Sequence, residues 1–128
     1  MEVKGLLVML RANLDHLSPT EQQAILEFVQ LLKEQFNGRV RSALLFGSKA
    51  RGEGYPGSDL DVLVVVDSDD WRVHKRIRYL AADICLEYGL NLSPRVWSTS
   101  HHQEVEELQA LLYQNIRRDG FNLLEPPP

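Results

Sequence analysis

Two aspartates, Asp59 and Asp61, flank Leu60 at the head of an apolar run, Leu60 to Val66. In a strand, residues two apart leave the same face. Their backbones then lie about 6.6 Å apart, so both carboxylates can converge on the same cations. Two like charges there are costly unless something positive sits between them. A hard divalent ion such as Mg²⁺, which prefers carboxylate and phosphate oxygens, meets that need. Upstream, Gly47 and Ser48 directly follow a second apolar run, Val40 to Phe46. A glycine there lets backbone N–H groups approach a phosphate closely, and the Ser48 hydroxyl can donate to it. Lys49 and Arg51 bring positive charge to the same anion. A phosphate cradle beside a metal-binding carboxylate pair is equipment for phosphoryl or nucleotidyl transfer.

The elements that must position these groups are readable from periodicity. Val3, Leu7, Leu10, Leu14 and Leu17 recur at spacings of four and three, which predicts an N-terminal helix. Ser18-Pro19-Thr20-Glu21 reads as a capping box that opens a second helix. Ile25, Phe28, Val29, Leu32 and Phe36 form its apolar side, and Asn37-Gly38 ends it. Val40–Phe46 and Leu60–Val66 read as strands, the second buried on both faces. Asp67-Ser68 can cap a helix on Val73, Ile77, Leu80, Ala81, Ile84 and Tyr88 that stops at Gly89. Leu92–Ser98 is a third strand, and Pro94 within it predicts an edge position or a bulge. Ser100 and Gln103 offer a further capping box for a last helix on Val105, Leu108, Leu112 and Ile116, ended by Gly120.

That order predicts an α/β (α+β) fold, a small mixed sheet of three or more strands flanked by helices. The 128 residues suit one domain. Within it, 1–37 forms an N-terminal helical pair, 40–120 the core and 121–128 a tail. No apolar run reaches membrane-spanning length. Arg11 and Asp15 interrupt the opening segment, which therefore does not read as a signal peptide. A lone cysteine, Cys85, is consistent with a reducing cytoplasm. A net charge of −4 disfavours nucleic acid held by bulk charge.

Other residues read more simply as structure. His101 and His102 are adjacent at a helix start, diverge by about 100°, and read as surface histidines. Arg72, Lys75, Arg76 and Arg78 read as a solvated helix face. Trp71 and Trp97 read as half-buried packing residues, although Trp97 can border the active face. Cys85 reads as packing. Tyr55, in the glycine-rich loop, lies where it can touch a bound nucleotide.

Gly47-Ser48, ten intervening residues and Asp59-Leu60-Asp61 resemble the signature of the DNA polymerase β nucleotidyltransferase superfamily. The runs Gly47 to Gly52 and Ser58 to Asp61 are similar to those of its minimal members. The resemblance implies a nucleotidyltransferase-like fold and transfer of NMP from an NTP to a hydroxyl. It implies that Gly47 and Ser48 bind the terminal phosphates of the nucleotide, and Lys49, Arg51 and Ser58 are further candidate nucleotide-binding residues. Asp59 and Asp61 would be the catalytic residues and would hold two Mg²⁺ ions. Minimal members often act as antitoxins of HEPN-type toxins, some by adenylylating a tyrosine on them, so a HEPN-domain partner is implied. The alternative is a non-catalytic nucleotide- or partner-binding module that neutralises such a partner by occlusion. The N-terminal stripe offers a surface for a homo-oligomer or a partner. Fully equipped members carry a third carboxylate on the next strand. Here no Asp or Glu occurs between Glu87 and Glu104.

Overall fold

The computed structural model describes residues 17–36, 38–47, 58–108, 116, 118 and 120–123. The expected first helix lies outside them, except Leu17, which is buried in the core. Helix α1 (Pro19–Phe36) begins as its capping box requires. The Glu21 N–H donates to Ser18 Oγ at 3.1 Å, and the Ser18 N–H donates to Glu21 Oε1 at 2.9 Å. Two donors that the first helical turn leaves unpaired are thereby satisfied. Ser18→Ala should cost about 1 kcal/mol, read as a lower urea midpoint at constant slope. An unchanged midpoint would show that the cap carries no stability. All five expected apolar residues of α1 are buried, and Gly38 follows with φ +86°.

Strand β1 (Val40–Phe46) pairs antiparallel with β2 (Leu60–Val66). Helix α2 (Trp71–Tyr88) then carries the chain over to β3 (Leu92–Ser98), which runs parallel to β2. Helix α3 (Thr99–Leu108) follows, and β4 (Phe121–Asn122) returns antiparallel to β1. The sheet order is β3-β2-β1-β4. β2 is therefore central, and its residues are buried except Asp61, which is half-buried. β3 lies at the edge, where the missing N–H of Pro94 is tolerated.

The structure corrects three local expectations. The cap of α2 is Asp70, whose carboxylate accepts the Arg72 N–H at 2.9 Å, rather than Asp67 or Ser68. The cap of α3 is Ser98, whose Oγ accepts the His101 N–H at 3.1 Å, rather than Ser100. The segment assigned to a tail from 121 contributes β4, and Leu123 is buried, with its N–H on the Ala43 carbonyl at 2.6 Å. Gly120 closes the last helical turn as expected, its N–H reaching the Ile116 carbonyl at 2.7 Å. Leu112 lies outside the described residues.

The pleat sorts side chains into two cores. On one face Ala43, Leu45, Val62 and Val64 pack against Phe28 and Leu32 of α1 and Ile77 and Ile84 of α2. On the other, Phe46, Leu63 and Val65 pack with Ile116, and the half-buried Leu44 and Trp97 join them. Asp61 shares this second face with Leu63 and Val65 by strand alternation. Among the described residues, no helix is long and apolar enough to cross a membrane.

Candidate active site

Asp61 lies on the central strand between Phe46 of β1 and Ser93 of β3, its partners in register. One residue beyond Phe46, the chain turns at Gly47 with φ +81°. A Cβ at Gly47 would stand 2.5 Å from Asp61 Oδ2, closer than real contacts allow. Only glycine satisfies both the positive φ and this approach. The end of β1 and the carboxylate of β2 are thus packed together without an intervening side chain.

Asp59 is exposed, and its charge acts on Asp61. Burial raises the Asp61 carboxyl above the usual carboxylate range, and the negative charge of Asp59 raises it further. The positive charge of Arg95 pulls it partly back. A half-buried acid beside a second acid is a place where a cation is favoured. The donors are hard carboxylate oxygens, which suit Mg²⁺. These residues therefore fit a divalent ion, which Asp59 and Asp61 would hold. Among the described residues, no group of three His, Cys, Asp or Glu is placed to hold a metal ion.

Of the other expected site residues, Ser58 is half-buried immediately before Asp59. Ser48, Lys49, Arg51 and Tyr55 lie outside the described residues. On β3, the positions sharing the face of Asp61 are Ser93, Arg95 and Trp97. No acid stands among them, and the charged residue present is a cation. Sequence reasoning missed Arg95; period-two alternation from the third strand's first residues was its available signal.

Of the residues read as structural, Trp71 departs from the expectation, being 63% exposed at the start of α2 rather than half-buried. Trp97 sits on the site face, four residues along β3 from Ser93, so about 13 Å away. Its ring meets His101 edge-on at 5.1 Å and His102 at 6.2 Å. The basic residues of α2 belong to the layer covering the opposite face. Arg76 lies 4.9 Å over the Phe36 ring and ties α2 to α1, while Lys75 lies over Trp71 and Tyr79. Cys85 Sγ accepts the Leu92 N–H at 3.2 Å, which fastens α2 to β3.

A sequence profile of the family described as "Nucleotidyltransferase domain" matches residues 25–119, which include the whole glycine-to-aspartate assembly. The chain belongs to that family. This nucleotidyltransferase domain is 36% identical over 103 residues to "Putative protein adenylyltransferase MJ0604" of Methanocaldococcus jannaschii, covering 73% of this chain and 98% of that protein. It is 38% identical over 71 residues to "Putative protein adenylyltransferase MJ1305" of the same organism, covering 53% of this chain and 48% of that protein. A crystal structure of a toxin-antitoxin with AMP-PNP superposes with a TM-score of 0.52 at 16% identity, covering 76% of this chain and 70% of that one. A mutant of the toxin-antitoxin MntA-HpeT superposes at 0.51 and 18% identity, covering 77% and 71%. At such identities the likeness establishes the fold. The mixed sheet with its flanking helices is accordingly a nucleotidyltransferase fold.

Proposed function

We propose that this nucleotidyltransferase domain uses Mg²⁺ to move NMP from an NTP to a hydroxyl of a protein, and that it serves as the antitoxin of a HEPN-type toxin. The observation that carries the reading is the close approach of the Gly47 backbone to Asp61. It sets the turn that would receive phosphate beside the acid that would hold the metal. The names of the two archaeal relatives support a protein acceptor, and those of the structural neighbours support a toxin partner and an adenine nucleotide.

In this reading Gly47 and Ser48 receive the terminal phosphates of the NTP, with Ser58 beside them. Lys49 and Arg51 offset the triphosphate's charge. Asp59 and Asp61 would hold the divalent ion, which when bound would supply positive charge to the phosphates and to the departing pyrophosphate. The acceptor oxygen forms a bond to the α-phosphorus while the bond from that phosphorus to the bridging oxygen breaks. Pyrophosphate leaves, and the acceptor's proton passes to solvent, since no described residue of β3 is an acid that takes it. Lack of such a base typically costs about 10²–10⁴-fold in rate. The same absence favours a second reading, in which the domain binds nucleotide and occludes its partner without turnover.

The test combines α-phosphate-labelled NTPs, Mg²⁺, the purified protein and a lysate of its own host, resolved on a denaturing gel. The expected result is a labelled protein band that disappears in the Asp59→Asn/Asp61→Asn variant. Blank lanes for both proteins with all four nucleotides, together with retained binding of a host partner, would favour the occluding module.

A further inference from the structure

β3 carries Arg95 toward the place where a third carboxylate is absent. Ser93 is in register with Asp61, and Arg95 is in register with Leu63, two residues along. Strands lie about 4.8 Å apart and two residues advance about 6.6 Å, so Arg95 starts about 8 Å diagonally from Asp61. That distance is within the reach of an extended arginine on the same face. Resting on the nucleotidyltransferase reading above, we propose that this site works with a single divalent ion and that the Arg95 guanidinium stands in place of a second.

Charge and coordination both support this assignment. Mg²⁺ is commonly bound by one or two carboxylates together with substrate phosphates, and Asp59, Asp61 and a triphosphate supply one such set. A second ion needs further anionic oxygens, and Ser93 and Trp97, the neighbours of Arg95 on its face, offer none. It would also sit beside the positive charge of the guanidinium. A guanidinium presents a fixed fork of donors that matches phosphate oxygens. Arg95 can therefore neutralise a non-bridging oxygen of the transferred phosphate. It cannot take the acceptor's proton, which leaves to solvent as before.

The experiment counts Mn²⁺ bound per chain with a non-hydrolysable triphosphate analogue, from the paramagnetic resonance signal of the free ion. Wild type is expected to bind one Mn²⁺ per analogue-bound chain. Arg95→Asp is expected to bind two, the second at least about tenfold tighter than any second ion on wild type. Arg95 is exposed, so the fold should survive, and circular dichroism checks it. Should Arg95→Asp fail to fold, Arg95→Ala must still strengthen the second ion's binding. Two ions of comparable affinity on wild type would overturn the proposal, as would no gain in a folded variant. An Asp61→Asn control that binds Mn²⁺ and analogue like wild type would instead overturn the nucleotidyltransferase reading itself.

Discussion

Asp61→Asn should lower NMP transfer at least about a hundredfold and yet raise the melting temperature of the metal-free protein. The first effect follows from the role proposed for the carboxylate. Loss of a residue that merely orients a metal ligand costs about 10–100-fold, and loss of the ligand itself should cost more. The second follows from what surrounds Asp61. Burial, and then the charge of Asp59, hold its carboxyl above its ordinary value despite the pull of Arg95. The folded protein thus keeps this proton to higher pH than the unfolded chain does. Stability from this group is highest below the unfolded value, near 3.8, and falls as pH rises through the folded one. The penalty grows as pH rises above 3.8, and asparagine, of similar shape and no charge, removes it. The variant should therefore melt above wild type at pH 7 in chelator. The gap should close as pH falls well below 3.8, where aspartate is protonated in both states. Mg²⁺ with nucleotide should reverse the order, because a ligand that binds only the folded state stabilises it. A variant that melts lower at pH 7 in chelator would refute the charge penalty assigned to Asp61.

Local signals made part of this architecture legible. The Ser18 box fixed the start of α1, because both of its bonds close within four residues. β2 was legible from its unbroken aliphatic run, since only a central strand buries both faces. The caps were harder. Four consecutive residues, Asp67 to Asp70, can each cap a helix, and distant contacts decide among them. Asp67 is held at the end of the sheet by Arg41, whose guanidinium reaches its carboxylate at 3.0 Å, and its N–H bonds the Arg39 carbonyl. The chain therefore turns into the helix only at Asp70. β4 pairs just two residues with β1, too few to show any period. The types and spacing at Gly47 and Asp61 pointed to the chemistry, yet their contact depends on the register of Phe46 with Asp61. Arg95 was placed on the face of Asp61 only through the register of β3 on β2. Register is a property of strand pairs, and neither strand encodes it alone.

Gly47→Ala should disable the site through two separable penalties. The first is backbone strain, since φ +81° disfavours any side chain, at about 1–2 kcal/mol. The second is the clash, since the new Cβ would stand 2.5 Å from Asp61 Oδ2 and 3.4 Å from its Cγ. Either the turn or the carboxylate must move, and both belong to the proposed machinery. A misplacement of about 1 Å at such a site costs about a hundredfold, so kcat/KM should fall by at least that much. The NTP concentration at half-maximal rate should rise with it, because the turn also receives phosphate. A double-mutant cycle with Asp61→Ala separates the two penalties. In that background the clashing oxygens are gone, and Gly47→Ala should cost only the strain of the turn. The difference between its two costs, measured from urea midpoints, then gives the energy of the Gly47–Asp61 approach. Equal costs in the two backgrounds would show that the turn and the carboxylate are not packed against each other, and with that the observation carrying the proposed function would fall.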